Sequence, residues 1–166
     1  MSLMLPRTGL VIFLSFVMTA AVGCTGSTEV VTRHHGGVTR YPFTSGGFVT
    51  AAFWGDQTAV QQFLVRGMDV NAVDVNGDTA LHAAVDGRNE LVVRLLLEAG
   101  ADPNIQNDRG YTVLMLAAAN NDRWTVETLL EAGADPSIRN NEGDTAADIA
   151  QSLGNTEVLD LLLSGR

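Results

Sequence analysis

The 166-residue chain has no lysine, a single cysteine, four prolines and only 6% aromatic residues. With one cysteine, no intramolecular disulfide can staple the fold. All 10 cations are arginines and they face 19 acids, a formal charge of −9. Such a chain lacks the clustered cations that displace phosphate counterions, which excludes sequence-independent nucleic-acid binding. A hydrophobic content of 46% with so few prolines excludes disorder over most of the length. Histidine is scarce too: His34 and His35 are adjacent near the N-terminus, which leaves His82 as the one imidazole of the C-terminal three quarters. Without Lys or Cys beside it, most ways of pairing a nucleophile with a base are gone. No Gly-rich phosphate loop, metal-ligand cluster or Gly-x-Ser-x-Gly elbow is present. The chain is therefore read as non-enzymatic, with no cofactor and no metal expected.

What is present begins with an apolar N-terminus. Residues 1–23 have the three parts of an export signal: Arg7, an apolar run from Leu10 to Val22, and a small-residue exit ending at Gly23-Cys24. A 13-residue run spans roughly 20 Å as a helix, short of the roughly 30 Å of bilayer hydrocarbon. Ala21-Val22-Gly23-Cys24 resembles the bacterial lipobox, although Ala21 stands where leucine is commonest. The resemblance implies cleavage before Cys24 and a lipid (palmitate-type acyl chains) on its sulfur, which would also remove the liability of an exposed exported thiol. Thr25 in place of the usual retention Asp implies the periplasmic side of the outer membrane. An ordinary signal peptide beside a chance cysteine, or an uncleaved anchor, is the alternative. Residues 24–40, rich in Gly, Ser and Thr, are expected to be a flexible tether with a reach of roughly 20–25 Å. The His34-His35 pair within it lacks the further ligands of a closed metal site.

From Tyr41 onward the sequence repeats with a period of 33. Gly67, Gly100 and Gly133 keep it, as do Gly77, Gly110 and Gly143, then Asp69, Asp102 and Asp135, and Thr79, Thr112 and Thr145. Within Asp74 to Gln106 the signals read turn, helix, turn, helix, loop. Gly77 suits a tight turn, and Thr79 can cap a helix from Ala80 to Asp86. A second helix is expected at about Glu90 to Ala99, burying Leu91, Val92, Leu95 and Leu96, with Gly100 as its left-handed terminator.

Gly-Asp-Thr-Ala-Leu-His-Ala-Ala and Leu-Leu-Leu-Glu-Ala-Gly-Ala-Asp-Pro-Asn, between Gly77 and Asn104, resemble the ankyrin repeat closely. The resemblance covers 41–166 and implies an all-α repeat solenoid with β-hairpin fingers and a concave protein-binding face. Four units are expected, at 41–73, 74–106, 107–139 and 140–166, the first and last atypical as caps. Gly46-Gly47-Phe48 replaces Thr-Pro-Leu in the first, and Asp148 takes the place of His82 in the last. In the family frame His82 is a structural residue that bonds neighbouring turns, and Asp160 and Arg166 give the closing helix a polar exterior.

Binding should use positions that the fold leaves free, the finger tips and the open side of each first helix. These are Phe53, Trp54, Asp78, Asp86, Arg109, Tyr111, Asn120 and Asp144. Aromatics and arginine are the usual hot spots, and the surrounding acids favour a basic protein partner. Phe53 and Trp54 are either open or covered by Tyr41-Pro42-Phe43 folding back. Trp124 is expected to pack in a ladder with Leu91. The resulting expectation is a membrane-tethered periplasmic binding module, a scaffold or helper for an envelope protein. The alternative is an immunity-type inhibitor that occludes a toxin or enzyme reaching the periplasm.

Overall fold

The structure, a computed structural model, describes residues 28–34 and 37–164. The leader, Cys24 and Arg166 lie outside the described residues, as do His35 and the side chain of His34. Among the described residues no helix is long and apolar enough to cross a membrane.

Among the described residues, eight helices form four antiparallel pairs. They are α1 (Ser45–Phe53) with α2 (Gln57–Val65), α3 (Ala80–Asp86) with α4 (Glu90–Glu98), α5 (Val113–Ala119) with α6 (Arg123–Glu131), and α7 (Ala146–Leu153) with α8 (Thr156–Ser164). First helices stack on first helices and second on second, so each pair buries its faces against its neighbours, as a solenoid must. Three threonines spaced by 33, and Thr44 35 residues before the first of them, explain where the first helices start. Thr44, Thr79, Thr112 and Thr145 each cap one, accepting from the backbone N–H three residues on. Small residues along α3 and α5 let backbones approach, while Phe48, Phe63, Leu81, Leu96, Leu114, Met115, Leu129 and Leu162 fill the space between layers.

The expected α3 bounds agree with the structure, and α4 ends one residue earlier than expected. Its buried face is Val92, Val93 and Leu96, so the expected stripe is rotated: Leu91 is 67% exposed and Leu95 is only partly covered. Trp124 is partly buried against the core and lies under the Arg94 guanidinium, 5.6 Å from its ring centre.

A larger correction concerns the tether. The strands β1 (Glu29–His34) and β2 (Gly37–Pro42) pair antiparallel as a hairpin packed on the first helix pair. The expected boundary at 40 therefore falls inside β2. Alternation explains why this polar stretch folds: Val30, Thr32 and Tyr41 point inward and are buried, whereas Val31, Arg33, Val38 and Arg40 point out. Asp56 fastens the inward side. Almost wholly buried, it caps α2 through Ala59 N–H at 2.9 Å and accepts from Thr32 Oγ1 at 2.5 Å. It also accepts from the Tyr41 hydroxyl; burial and this carboxylate together push the Tyr41 phenol above its usual pKa. Phe43 stacks on Phe63 with ring centres 5.3 Å apart, and Arg66 lies over Phe43. Gly47 is explained as well, since a Cβ there would strike the Pro42 carbonyl.

Candidate binding groove

Each finger is built on one side chain. Asp74, Asn107 and Asn140, again 33 apart, accept with Oδ1 from two backbone N–H groups of the tip: Asn76 and Asp78, Arg109 and Tyr111, Glu142 and Asp144, all between 2.8 and 3.0 Å. Neighbouring tips are then joined, Asp108 N–H to Asn76 C=O at 3.0 Å and Asn141 N–H to Arg109 C=O at 3.3 Å. Sequence reasoning missed this role, though the 33-residue spacing of the three residues was its signal.

Below the fingers, His82 ties two repeats together. Its Nε2 meets the Tyr111 carbonyl at 3.0 Å, and its Nδ1 lies 2.8 Å from Thr79 Oγ1 and accepts from Thr79 N–H. These partners fit the neutral ring with the proton on Nε2. Burial holds the imidazole pKa below its ordinary value, outweighing the opposing pull of the Tyr111 carbonyl, Asp78 and Asp74. Asp148 copies half of this arrangement, receiving Thr145 N–H at 2.9 Å and Thr145 Oγ1 at 2.7 Å. Among the described residues no further repeat follows it.

The side of the first helices holds a depression of about 260 Å³ between α1, α3 and the Asn107 finger, lined by Val49, Phe53, Asp78, His82, Asp86 and Arg109 among others. Four of the predicted residues, Phe53, Asp78, Asp86 and Arg109, thus share one site. Val49, Ala83 and Leu116 give it apolar walls that sequence reasoning did not pick out. Tyr111 borders it through Arg109, whose guanidinium sits 5.5 Å from the Tyr111 ring centre. The others lie apart. Trp54 meets Phe53 edge to face at 5.4 Å but faces a separate trough beside β2, and the hairpin leaves it 71% exposed instead of covering it. Asn120 is a tie between repeats, its Nδ2 reaching Val85 C=O at 3.4 Å and its carbonyl accepting from Arg88 at 3.0 Å. Asp144 belongs to the Asn140 finger.

A family model described as ankyrin repeats (3 copies) matches residues 48–140. The chain belongs to the ankyrin-repeat family. The ankyrin stack is thereby a protein-interaction module of a family that is typically non-enzymatic. A stretch of 45 residues is also 44% identical to part of an L-asparaginase from Dirofilaria immitis, covering 27% of this chain and 8% of that protein. A match confined to so small a part of an enzyme carries no inference about catalysis here.

One position in the ankyrin stack breaks its own rule. Asp78, Tyr111 and Asp144 are equivalent. Asp78 accepts from the next finger's Asn107 Nδ2 at 2.8 Å, but where Tyr111 stands no carboxylate is offered, and the buried Nδ2 of Asn140 has no partner. An orphaned buried donor costs about 1–3 kcal/mol. In place of the carboxylate, Tyr111 puts an aromatic ring beside Arg109.

Proposed function

We propose that this chain is a non-enzymatic binding module for another protein, held at the bacterial envelope by a lipid on Cys24. It faces the periplasm from the outer membrane, where it acts as a scaffold or helper for a periplasmic or envelope protein. The observation that supports a groove partner most directly is Tyr111, an aromatic placed against the framework's hydrogen-bond pattern; broken local rules concentrate at functional sites. Arg109 and Tyr111 form the anchor, Phe53 and Leu116 the apolar wall, and Asp78 and Asp86 face a basic group of the partner.

Affinity purification from envelope extracts, with mass spectrometry of what co-elutes, tests this reading. Arg109→Ala should weaken the complex by roughly 1–4 kcal/mol without moving the melting temperature. Unchanged capture by Arg109→Ala and by Tyr111→Asp, the second of which offers Asn140 an acceptor, would refute the placement. Recovery of one stoichiometric basic enzyme that loses activity on binding would replace the helper role with that of an inhibitor. Inhibition of lipoprotein processing tests the anchor, since an unchanged mature mass would mean that no lipid is attached.

A further inference from the structure

The hairpin closes the first end of the stack, where solenoids ordinarily present a polar face to water. Its outer surface is different. Cross-strand neighbours Val31 and Arg40, and Arg33 and Val38, form a square with valines on one diagonal and arginines on the other. Val31 is 39% and Val38 55% exposed. Arg40 meets Glu29 only at 3.8 Å, with both side chains well exposed, a weak pair. Along one edge runs an open trough of about 1010 Å³, bordered by Arg40 and by Trp54.

Charge separates along the chain in the same sense. Residues 28–66 hold three arginines against Glu29 and the buried Asp56, net +1, whereas residues 67–166 hold six arginines against seventeen acids, net −11. The described chain starts at Thr28, four residues beyond Cys24, and four extended residues reach at most about 14 Å. The apolar, basic end is therefore the end nearest the expected anchor.

We propose that the outer face of the hairpin, with Trp54 at its edge, docks on an anionic phospholipid surface. Arginine guanidinium groups match phosphate oxygens in pairs, tryptophan favours the headgroup level, and the two valines enter only shallowly. The acidic remainder is repelled by the same surface, so the stack stands end-on with its groove open to the aqueous side. This surface is distinct from the groove, so lipid docking and protein capture fail or succeed independently.

The test uses the chain as isolated from expressing cells, carrying Trp124→Phe so that Trp54 alone reports. It is mixed with phosphatidylethanolamine–phosphatidylglycerol vesicles containing brominated lipid. Trp54 fluorescence should be quenched, and quenching should fall as salt rises. Each arginine beside an anionic surface contributes about a fivefold factor, so Arg33→Gln with Arg40→Gln should lower the docked-to-undocked ratio about 25-fold. Arg123→Gln, at the other end, should leave it unchanged. Equal quenching in phosphatidylcholine vesicles, indifference to salt, or stronger quenching of Trp124 in the reciprocal Trp54→Phe chain would each overturn the proposal. Circular dichroism separates loss of docking from loss of fold.

Discussion

The same substitution made one repeat apart should have unequal consequences. Asn107 and Asn140 are equally buried, and both accept from two finger N–H groups through Oδ1. Aspartate preserves those bonds, as Asp74 shows in the preceding finger. The expense of burying a carboxylate is common to both sites and cancels in the difference. What remains is Nδ2. At position 107 the change removes a bond to Asp78, worth about 1.5–3 kcal/mol for a charged partner, and sets two carboxylates where 2.8 Å now separates donor and acceptor. At position 140 it removes an unpartnered donor and relieves about 1 kcal/mol. Asn107→Asp should therefore be less stable than Asn140→Asp by about 3 kcal/mol, or about 10 °C in melting temperature for a domain of this size. Urea denaturation at pH 7, followed by far-UV circular dichroism, measures the gap. Repetition near pH 3 should narrow it, because a protonated Asp at 107 can again donate to the Asp78 position. Equal losses, or a larger loss at 140, would refute the account of the fingers.

The buried imidazole makes stability pH-dependent. His82 titrates lower in the folded chain than its ordinary 6.5, so the unfolded state binds the extra proton first. Its contribution is complete above about pH 6.5 and is lost as pH falls from there through the lower folded value; His82→Met, copying Met115, should flatten that part of a denaturation profile. Asp56→Ala removes the α2 cap and both hairpin bonds, and is expected to cost about 2–4 kcal/mol and to expose residues 28–42 to limited proteolysis. Finally, Gly110→Ala should destabilise more than Gly143→Ala. Both have positive φ, but a Cβ at Gly110 would come within 2.7 Å of Asn141, whereas at Gly143 it would meet nothing.

The periodic part of the molecule was legible because each structural requirement recurs. Threonine caps, left-handed glycines and the small residues of the first helices appear once per unit, so a period of 33 places helices before any contact is known. The hairpin has no such recurrence. Val30, Thr32 and Tyr41 look like scattered residues in a polar segment until Asp56 and Phe63, distant in sequence, give them something to pack on. The rotation of the α4 face has a similar origin, since Leu91 and Val93 both suit an apolar stripe and only the neighbouring units decide between them. Among the site residues, Asp86 and Arg109 could be placed from the repeat frame, whereas the meaning of Tyr111 depends on Asn140, one unit away.

The two ends of the array are finished differently. The hairpin and Asp56 lock the first pair, whereas the last described helix packs mainly on its own partner and on α6 among the described residues, with Leu153 58% and Leu163 50% exposed. Within the described stack, α8 is therefore the helix expected to loosen before the hairpin-locked first pair. The depression between α1, α3 and the Asn107 finger is framed by the better-locked pairs, so a ligand seated there would remain gripped while α8 opens and closes.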